Sequence, residues 1–469
     1  MHRSRHLGHG PYVRFEEKAL RSSTIRRFAY GLNDFRPFLD LWFPRSRRLS
    51  PNDRSSGQAA RLRRTLEHAR SSVPYYRRLF DRAGITPDDV RTASDLNKIP
   101  VTTKQDMRAA PAADLLSTRV GRGDLIVART AGSTGVPMTF YQTRAENFLL
   151  HLTKLKTLRS LGLAWGDRMI KVQNREYVTR PSSWLSIQRL GVLRQEIVAS
   201  TTAEAVAAEL AGKNADVLTS YNGMLARLAQ VLACRENLAL KPRFLVGSAD
   251  VLTPFMRSQI KATFKAHIWD TYLSREFGVI AWECPSSGQY HVAGDHLIVE
   301  VLKDGAPCRP GEEGEVIVTS LISRAMPFIR FKLDDIVTLS AAACPCGRRV
   351  MSFDKLLGKK QDYFWLPGGV EFNPWRLSAL WMSRADWILQ FELIQEALES
   401  IVLRIVPAWP PPAKDVEALL QESRMLLGPG IDFRLELAAD IKPAPGEKFR
   451  VHRSLVRSFY DDPKAGKRA

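Results

Sequence analysis

The sequence predicts an α/β protein with a large N-terminal domain and a small α+β C-terminal domain. With 469 residues, 45% of them hydrophobic, the chain can bury one large core and carry a second, smaller one. Short β-prone runs alternate with helical runs between residues 125 and 273, a pattern typical of a core with largely parallel strands. Beyond residue 361 the pattern changes, which indicates a separate unit of about 110 residues.

The start of the chain predicts a basic extension over residues 1–58, followed by a helical subdomain. Residues 1–54 contain twelve Lys or Arg and five Asp or Glu. From Ala59 the apolar residues of AARLRRTLEHARSSVPYYRRLFDRAG are spaced for an amphipathic helix. Pro74 breaks that helix because proline has no backbone N–H to donate. The large domain as a whole is predicted to span residues 59–360.

The core of the large domain is predicted from six β-prone runs and the helices between them. The runs are LIVART, MTFYQT, RMIKVQ, DVLTSY, RFLVGSA and HIWDTYL. The helices are expected near residues 146–161, 203–212, 224–232 and 254–264. After Cys284 the strand-rich segments HLIVEVL, GEVIVTS and FIRFKL, separated by Gly and Pro turns, predict a β subdomain attached to this core.

The C-terminal domain is predicted over residues 361–469, with the boundary near Gln361. A helix is expected near residues 375–383 and another over residues 415–427. Strands are expected at WILQFEL, SIVLRIVP and DFRLELA, and the unit closes with IKPAPGEKFRVHRS.

Charge and cysteine content exclude several classes of protein. The net charge is +20, but neither zinc-finger spacing nor an RNP-like aromatic strand accompanies it, so specific nucleic-acid binding is not expected. The basic surface suits a site for anionic substrates. No apolar run is long enough to cross a bilayer or to act as a secretory signal. Five cysteines, a low and odd count, indicate a reducing compartment, so we expect a cytoplasmic protein.

The segment TAGSTGVP, residues 130–137, lies between two of the predicted strands. Glycine permits close approach and positive φ, so such a loop can follow an anion with its backbone N–H groups and hydroxyls. The GxxxxGK[ST] spacing of the Walker motif is absent. Taken alone, the segment predicts either a phosphate-binding loop or a glycine-rich hairpin turn.

This segment resembles the T-S/A-G-S-T-G-x-P signature of the adenylate-forming superfamily, in the branch of phenylacetate-CoA ligases and their capsule-biosynthesis (CapK-type) relatives. Four later segments resemble further landmarks of that branch in the same order. They are DTYLSREFG for YGxTE, AMPFIRFKLDD for MPxIRYxTGD, LLGKKQD for GRxxD, and PGEKFR for the terminal GK-F/I-R. The resemblance extends from about Ala59 to Arg453 and implies activation of a carboxylic acid by ATP through an acyl-adenylate.

The resemblance implies a role for each matching residue. Residues expected to hold the β- and γ-phosphates are Thr130, Gly132, Ser133, Thr134 and Gly135. Glu276 would bind Mg²⁺, and Tyr272 would stack on adenine. Asp335 would accept the ribose hydroxyls, with Arg330 and Lys359 nearby. Lys448 would arrive from the mobile C-terminal domain to neutralise the carboxylate and the α-phosphate.

Three functions remain open from the sequence. The first is an acid–CoA ligase that forms a thioester with coenzyme A. The second passes the acyl group to an amine or hydroxyl in polysaccharide or cofactor assembly. The third is a lapsed homologue that only binds, suggested by Leu273, Arg275 and Gln361 where the family has other residues. The acid is expected to contact SYNGML (220–225) and VGSAD (246–250), and a homodimer is left open.

A second group of residues predicts a structural metal. Cys284 and His291 in CPSSGQYH, with Cys344 and Cys346 in ACPCGRR, form the Cys₃His set that suits tetrahedral Zn²⁺. The alternatives are His296 as the imidazole, or a pair of reduced cysteines in a turn. The remaining cysteines, Cys234 and Cys308, lie in ordinary helix and turn contexts.

Overall fold

The computed structural model describes residues 51–129, 138–173, 194–200, 202–233, 240–382, 387–407, 409–441 and 451–456. The predicted basic extension lies almost wholly outside these ranges. Outside them too are Cys234 and the six residues expected to hold the phosphates and to neutralise the reacting groups, namely Thr130, Gly132, Ser133, Thr134, Gly135 and Lys448.

Four α-helices of the described residues form the N-terminal subdomain. They are α1 (Pro51–Ser72), α2 (Pro74–Ala83), α3 (Lys104–Ala109) and α4 (Ala112–Leu115). The break predicted at Pro74 is confirmed, because proline begins α2 at its first turn, where the missing N–H costs nothing. The hydroxyl of buried Tyr76 donates to Pro327 O at 3.1 Å and accepts from Ile329 N at 3.0 Å, and so connects α2 to the large domain.

The predicted strands on either side of TAGSTGVP form an antiparallel hairpin. These strands are β1 (Leu125–Arg129) and β2 (Thr139–Thr143), with Arg129 paired to Thr139. Helix α5 (Arg144–Ser160) follows directly, because Thr143 caps its first turn and Glu146 closes a capping box. Among the described strands the hairpin stands apart from the main sheet, so these two strands are not part of the parallel core that the alternation predicted.

The main sheet contains twelve of the described strands. The first six are β3 (Arg168–Gln173), β4 (Arg194–Ala199), β5 (Val217–Thr219), β6 (Phe244–Ser248), β7 (His267–Ser274) and β8 (Gly278–Glu283). The other six are β9 (Tyr290–Val292), β10 (Leu297–Lys303), β11 (Ala306–Pro307), β12 (Glu313–Ser320), β13 (Phe331–Leu339) and β14 (Ser352–Lys359). Their order is β11-β10-β12-β13-β14-β9-β8-β7-β6-β5-β3-β4.

The sheet is mixed, with a parallel half and an antiparallel half. Strands β4, β3, β5, β6 and β7 are parallel, as predicted. Strand β4 was missed in the sequence because it is an edge strand with little burial. Strand β8 turns back beside β7, and the predicted β subdomain continues from it in the same hydrogen-bonded sheet. The expected subdomain is therefore an extension of the core sheet.

Helices cover both faces of the parallel half. Met169 and Val246 point to the face packed by α5, whereas Ile170 and Leu245 point to the opposite face. This alternation follows the two-residue period of a strand. The second face is packed by α6 (Ala203–Glu209), α7 (Asn222–Ala233) and α8 (Pro254–Phe264).

Residues beyond 363 form their own hydrophobic cluster and their own sheets. A small hairpin joins β15 (Phe364–Leu366) to β16 (Val370–Phe372). A second sheet contains β17 (Ile388–Ala397), β18 (Ser400–Pro407), β19 (Asp432–Leu437) and β20 (His452–Ser454), in the order β19-β18-β17-β20. Helices α9 (Trp375–Met382) and α10 (Ala413–Leu427) complete this unit. Each element predicted for the C-terminal domain is present.

Candidate functional site

The two segments predicted to contact the acid meet at the carboxyl ends of β5 and β6. The amide of Asn222 donates to Asp250 O at 2.6 Å and to the carboxylate of Asp270 at 2.9 Å. The hydroxyl of Tyr290 donates to the other oxygen of Asp270 at 2.8 Å. A Cβ at Gly247 would lie 1.8 Å from Asn222 Oδ1, so only glycine permits this close approach. The carboxyl-end edge of the parallel strands is therefore polar and closely packed.

Two of the predicted nucleotide residues contact the carboxylate of a third, Asp335. Asp335 on β13 accepts the hydroxyl of Tyr272 at 2.7 Å on one oxygen and Lys359 Nζ at 2.5 Å on the other. Tyr272 comes from β7 and Lys359 from the end of β14, so three strands of the sheet contribute. The side chains of Asp335 and Lys359 are 19% and 23% exposed, which leaves the group open on one side.

The negative charge of Asp335 raises the pKa values of both side chains that contact it. Burial, together with the negative charge of Asp335, raises the pKa of Tyr272 well above its usual value. Burial alone would lower the pKa of Lys359, but the neighbouring Asp335 outweighs burial and raises it. Tyr272 therefore remains a hydrogen-bond donor and Lys359 remains a cation at neutral pH.

The neighbouring Asp334 has an unusual backbone and a partner that sequence reasoning missed. Its φ is +63°, in the left-handed region that favours glycine, at the position where the family motif has Gly. Lys104 Nζ lies 3.3 Å from the Asp334 carboxylate. The same Nζ donates to Leu333 O, which also accepts from Lys359. Lys104 lies in KIPVTTKQDM (residues 98–107), a segment that resembles the N-terminal region of the same branch. That resemblance was the only signal in the sequence that could have pointed to Lys104.

Glu276 lies in the turn between β7 and β8 and is 4% exposed. Its neighbour Arg275 donates to Arg129 O at 3.0 Å, at the last residue of β1. The side chain of Gln142 on β2 reaches back toward Arg275 O at 3.4 Å. Arg129, at the loop end of β1, and Gln142, on β2, are therefore both hydrogen-bonded to Arg275, the residue before Glu276.

Arg330 makes its contacts apart from the group around Asp335. Its guanidinium makes a two-point ion pair with Glu300, at 3.0 and 2.9 Å, and donates to Asn97 O and Ile99 O. The side chain is only 6% exposed. Since these donors face protein acceptors, Arg330 connects the N-terminal subdomain to the sheet, and its place beside the nucleotide stays a prediction.

The four predicted metal ligands come together. One donor atom from each of Cys284, His291, Cys344 and Cys346 lies within 4.8 Å of all the others. The sulfurs of Cys284 and Cys344 are 3.6 Å apart, and Cys346 Sγ is 3.2 Å from His291 Nε2. Burial and the charge of Arg348 lower the pKa of His291, which favours the neutral imidazole that metals require.

The alternative ligand is excluded by its position. His296 is buried elsewhere, with Nε2 3.0 Å from Phe277 O, and burial lowers its pKa to about 4. Cys308 lies apart from the cluster, beside Glu313 O. The imidazole of the Cys₃His set is therefore His291, as first predicted.

Comparisons with known proteins agree with this geometry. No protein-family model matches the chain. A phenylacetate-coenzyme A ligase of Escherichia coli (strain K12) is 29% identical over 320 residues, which is 66% of this chain and 72% of that protein. A second such ligase, from Thermus thermophilus, is 26% identical over 351 residues, 72% and 77% of the two chains. Protein CapK of Staphylococcus aureus is 21% identical over 412 residues, 85% and 89% of the two chains.

Solved structures show the same fold. A 2-hydroxyisobutyryl-CoA ligase in the postadenylation state superposes with a TM-score of 0.72 and 19% identity, over 87% of this chain and 91% of that chain. The anthranilate CoA ligase AuaEII superposes with a TM-score of 0.52 and 14% identity, over 77% and 73%. The fold predicted from the motifs is confirmed. Among the described helices, none is both long and apolar enough to cross a bilayer.

Proposed function

We propose that this chain, which has the adenylate-forming fold and phenylacetate-CoA ligases and CapK among its relatives, is an AMP-forming acid–CoA ligase. In the first step a carboxylate oxygen of the acid bonds to the α-phosphorus of ATP, and the bond to the β-phosphate breaks to release pyrophosphate. In the second step the sulfur of coenzyme A bonds to the acyl carbon. AMP leaves, and the thiol proton is released.

The observation that carries this proposal is the group around Asp335. Each carboxylate oxygen accepts one hydrogen bond from the protein, from Tyr272 or Lys359, and retains a lone pair for a ribose hydroxyl. The hydrogen bonds on both sides hold the carboxylate in one orientation. A bidentate acceptor fixed in this way distinguishes a vicinal diol from a single hydroxyl. The Tyr272 ring, adjacent to this diol site, provides a surface for adenine.

Glu276 fits the role of a magnesium ligand. Among the described residues no hydrogen bond engages its carboxylate, and a carboxylate oxygen is the ligand that Mg²⁺ prefers. When bound, the ion neutralises phosphate oxygens as charge develops. The protein holds Glu276 beside the hairpin by the contact between Arg275 and Arg129. Residues 130–137 would extend from that hairpin along the β- and γ-phosphates.

The C-terminal domain would complete the reaction. We propose that its boundary lies near Gln361. The hydrophobic cluster of the C-terminal residues begins three residues later, with Phe364. Lys448 would be delivered to the carboxylate and the α-phosphate when this domain closes. Coenzyme A is favoured over an amine or hydroxyl acceptor because four of the five curated relatives are phenylacetate-CoA ligases. On the cysteine content we also propose a cytoplasmic location.

The test is an exchange of labelled pyrophosphate into ATP, screened over aryl, fatty and hydroxy acids, followed by thioester analysis with coenzyme A. The expected result is exchange with one class of acid and a CoA thioester as the product. Lys448→Ala should reduce exchange strongly, with Lys261→Ala, an exposed lysine on α8, as the matched control. The absence of exchange with every acid would support a binding protein, and an amide product would support the second alternative.

The Cys₃His cluster fits a structural Zn²⁺. Two thiolates about 2.3 Å from a tetrahedral zinc lie about 3.8 Å apart, close to the 3.6 Å between Cys284 and Cys344. Zinc would join the turn after β8 to the turn before β14. Protein purified without added metal should contain one zinc per chain by mass spectrometry. Cys344→Ser should lower that content and Cys308→Ser should not, whereas equal zinc in both variants would contradict the assignment.

A further inference from the structure

Two of the four predicted metal ligands lie directly beside buried residues of the main sheet. Cys284 follows Glu283 at the end of β8, and His291 follows Tyr290 at the start of β9. Glu283 and Tyr290 are cross-strand partners in this hairpin. Across the turn between the strands, Cys284 N donates to Gln289 O at 2.7 Å. A metal bound by Cys284 and His291 would therefore fix the positions of Glu283 and Tyr290.

Glu283 and Tyr290 both form hydrogen bonds with Asp270 on β7. The hydroxyl of Tyr290 donates to one oxygen of the Asp270 carboxylate at 2.8 Å. The Glu283 carboxylate accepts the Asp270 backbone N–H, also at 2.8 Å. Arg257 on α8 places its Nη2 2.9 and 3.0 Å from the two Glu283 oxygens. Asp270 and Glu283 are 2% and 6% exposed, so both strands of the hairpin hold Asp270 away from water.

Asp270 in turn holds the two segments that we expect to contact the acid, residues 220–225 and 246–250. Its other carboxylate oxygen accepts the Asn222 amide at 2.9 Å, and the same amide donates to Asp250 O at 2.6 Å. Thr271, the next residue on β7, donates its hydroxyl to Gly247 O at 2.7 Å. Printed one after another along the sheet edge, these hydrogen bonds lead from the metal ligands' neighbours to both segments.

We propose that the Cys₃His centre positions the acid-binding edge of the sheet, with Glu283 and Tyr290 as positioning residues that act through Asp270. This role rests on the proposed function, which makes this edge the acid site, and on the proposed zinc. A connected network of buried hydrogen bonds holds a binding site in one geometry before its ligand arrives. Loss of the metal would free the hairpin, and the two segments would lose that geometry.

The alternatives are a metal that stabilises only its own two turns and a metal that stabilises the whole fold. Removal of the first would leave residues 220–225 and 246–250 unchanged. Removal of the second would loosen them whether or not the hydrogen bond from Tyr290 to Asp270 is present. A positioning metal predicts a third result, because Tyr290→Phe keeps all four ligands and breaks that hydrogen bond. Metal removal should then have little further effect on the two segments.

The experiment is amide hydrogen exchange, followed by mass spectrometry, on the full chain with one equivalent of Zn²⁺ or with Zn²⁺ removed by a chelator. The amides of interest are those of residues 220–225 and 246–250, and β17 and β18 serve as the internal reference. We expect removal of Zn²⁺ to speed exchange in the two segments at least tenfold and in the reference by less than twofold. The variant is Tyr290→Phe, and the matched control is Tyr75→Phe, a partly buried tyrosine on α2.

Each variant has a defined expected result. Zinc-loaded Tyr290→Phe should keep one zinc per chain, exchange faster than the wild type in both segments, and respond to Zn²⁺ removal there by threefold or less. Tyr75→Phe should behave as the wild type. The proposal would be overturned by wild-type segments that exchange within twofold of the zinc-loaded rate after metal removal, or by a wild type that binds no Zn²⁺. Equal acceleration in the wild type and Tyr290→Phe would overturn it in favour of a metal that stabilises the whole fold.

A second readout uses turnover. With an acid that supports pyrophosphate exchange, Tyr290→Phe should raise the KM for that acid at least tenfold. The KM for ATP, whose proposed ribose site is Asp335, should stay within threefold, and an equal rise in both values would overturn the assignment to the acid edge. The amide rates require neither acid nor ATP. Zinc-dependent amide rates of the expected pattern without adenylation of any acid would therefore support the positioning role and count against the ligase function.

Discussion

The strands around Asp335 contain two ion pairs, each between a basic and an acidic residue. The two pairs differ in how far they are buried and in how many hydrogen-bond partners they have within the protein. Arg330 and Glu300 form one pair, and Lys359 and Asp335 form the other. In the first pair the guanidinium is also bound by two backbone carbonyls, and its side chain is 6% exposed. In the second pair both side chains are about a fifth exposed, and Asp335 keeps a lone pair on each oxygen.

The difference shows how structural and ligand-binding charges can be told apart. A charge whose hydrogen bonds are all directed at the protein stabilises the fold, and it has none to offer a ligand. A charge held by the protein on one side and open on the other is preorganised for binding. Burial raises the pKa of Glu300 even though Arg330 lies beside it, a sign of how fully that pair is removed from water.

The largest expected effect separates the two pairs by stability. Arg330→Met would leave the Glu300 carboxylate buried without its partner, and we expect it to lower the free energy of unfolding by about 3–5 kcal/mol. Urea denaturation would measure this loss. The double variant Arg330→Met/Glu300→Leu should recover part of it, since both charges are then removed. A loss below about 1 kcal/mol in the single variant would contradict a structural role for Arg330.

The second effect is on binding. Asp335→Asn keeps the shape but removes the charge that accepts the ribose hydroxyls, so we expect the Kd for ATP to rise by about ten- to a hundredfold. Stability should fall by less than about 2 kcal/mol, because Lys359 is partly exposed and keeps the Leu333 carbonyl as an acceptor. Calorimetric titration with ATP measures the first quantity. Unchanged ATP affinity would remove Asp335 from the nucleotide site.

A smaller effect is expected from the third member of the group. Tyr272→Phe removes one hydrogen bond to Asp335 and keeps the ring, so we expect a loss of about 1–2 kcal/mol in stability. The Kd for ATP should rise less than it does for Asp335→Asn. If the two variants weaken ATP binding equally, the hydrogen bond from the Tyr272 hydroxyl is as important to the nucleotide site as the charge of Asp335.

The smallest effect concerns Asp334. Its φ of +63° is unfavourable for a residue with a Cβ, so Asp334→Gly should relieve strain. The ion pair with Lys104, whose side chains are 15% and 34% exposed, would be lost, at a cost of about 0–1 kcal/mol. We expect a net gain of about 0.5 kcal/mol, measured as a slightly higher Tm, with Lys104→Met as the companion variant. A clear loss of stability would show that the Lys104 pair outweighs the strain.

The elements of both domains were predictable from the sequence because they depend on local pattern. The helices and the strong strands follow from the 3.6- and two-residue periods of their apolar residues. Strand β4 was missed because an edge strand buries too little to show that period. The Cys₃His set was predicted because thiolates and imidazole are scarce and chemically distinctive. The residues of the Asp335 group were named by resemblance to a motif.

Tertiary structure alone decided which charges meet. Arg330 and Asp335 lie five residues apart in the same segment, yet Arg330 is buried in an ion pair with Glu300, whereas Asp335 is partly exposed in an ion pair with Lys359. Lys104 reaches Asp334 across 230 positions of the chain. The strength of an ionic interaction depends on distance, burial and remaining hydrogen-bond capacity. None of these is a property of a residue's neighbours in sequence, so the sequence named the groups and the fold determined their partners.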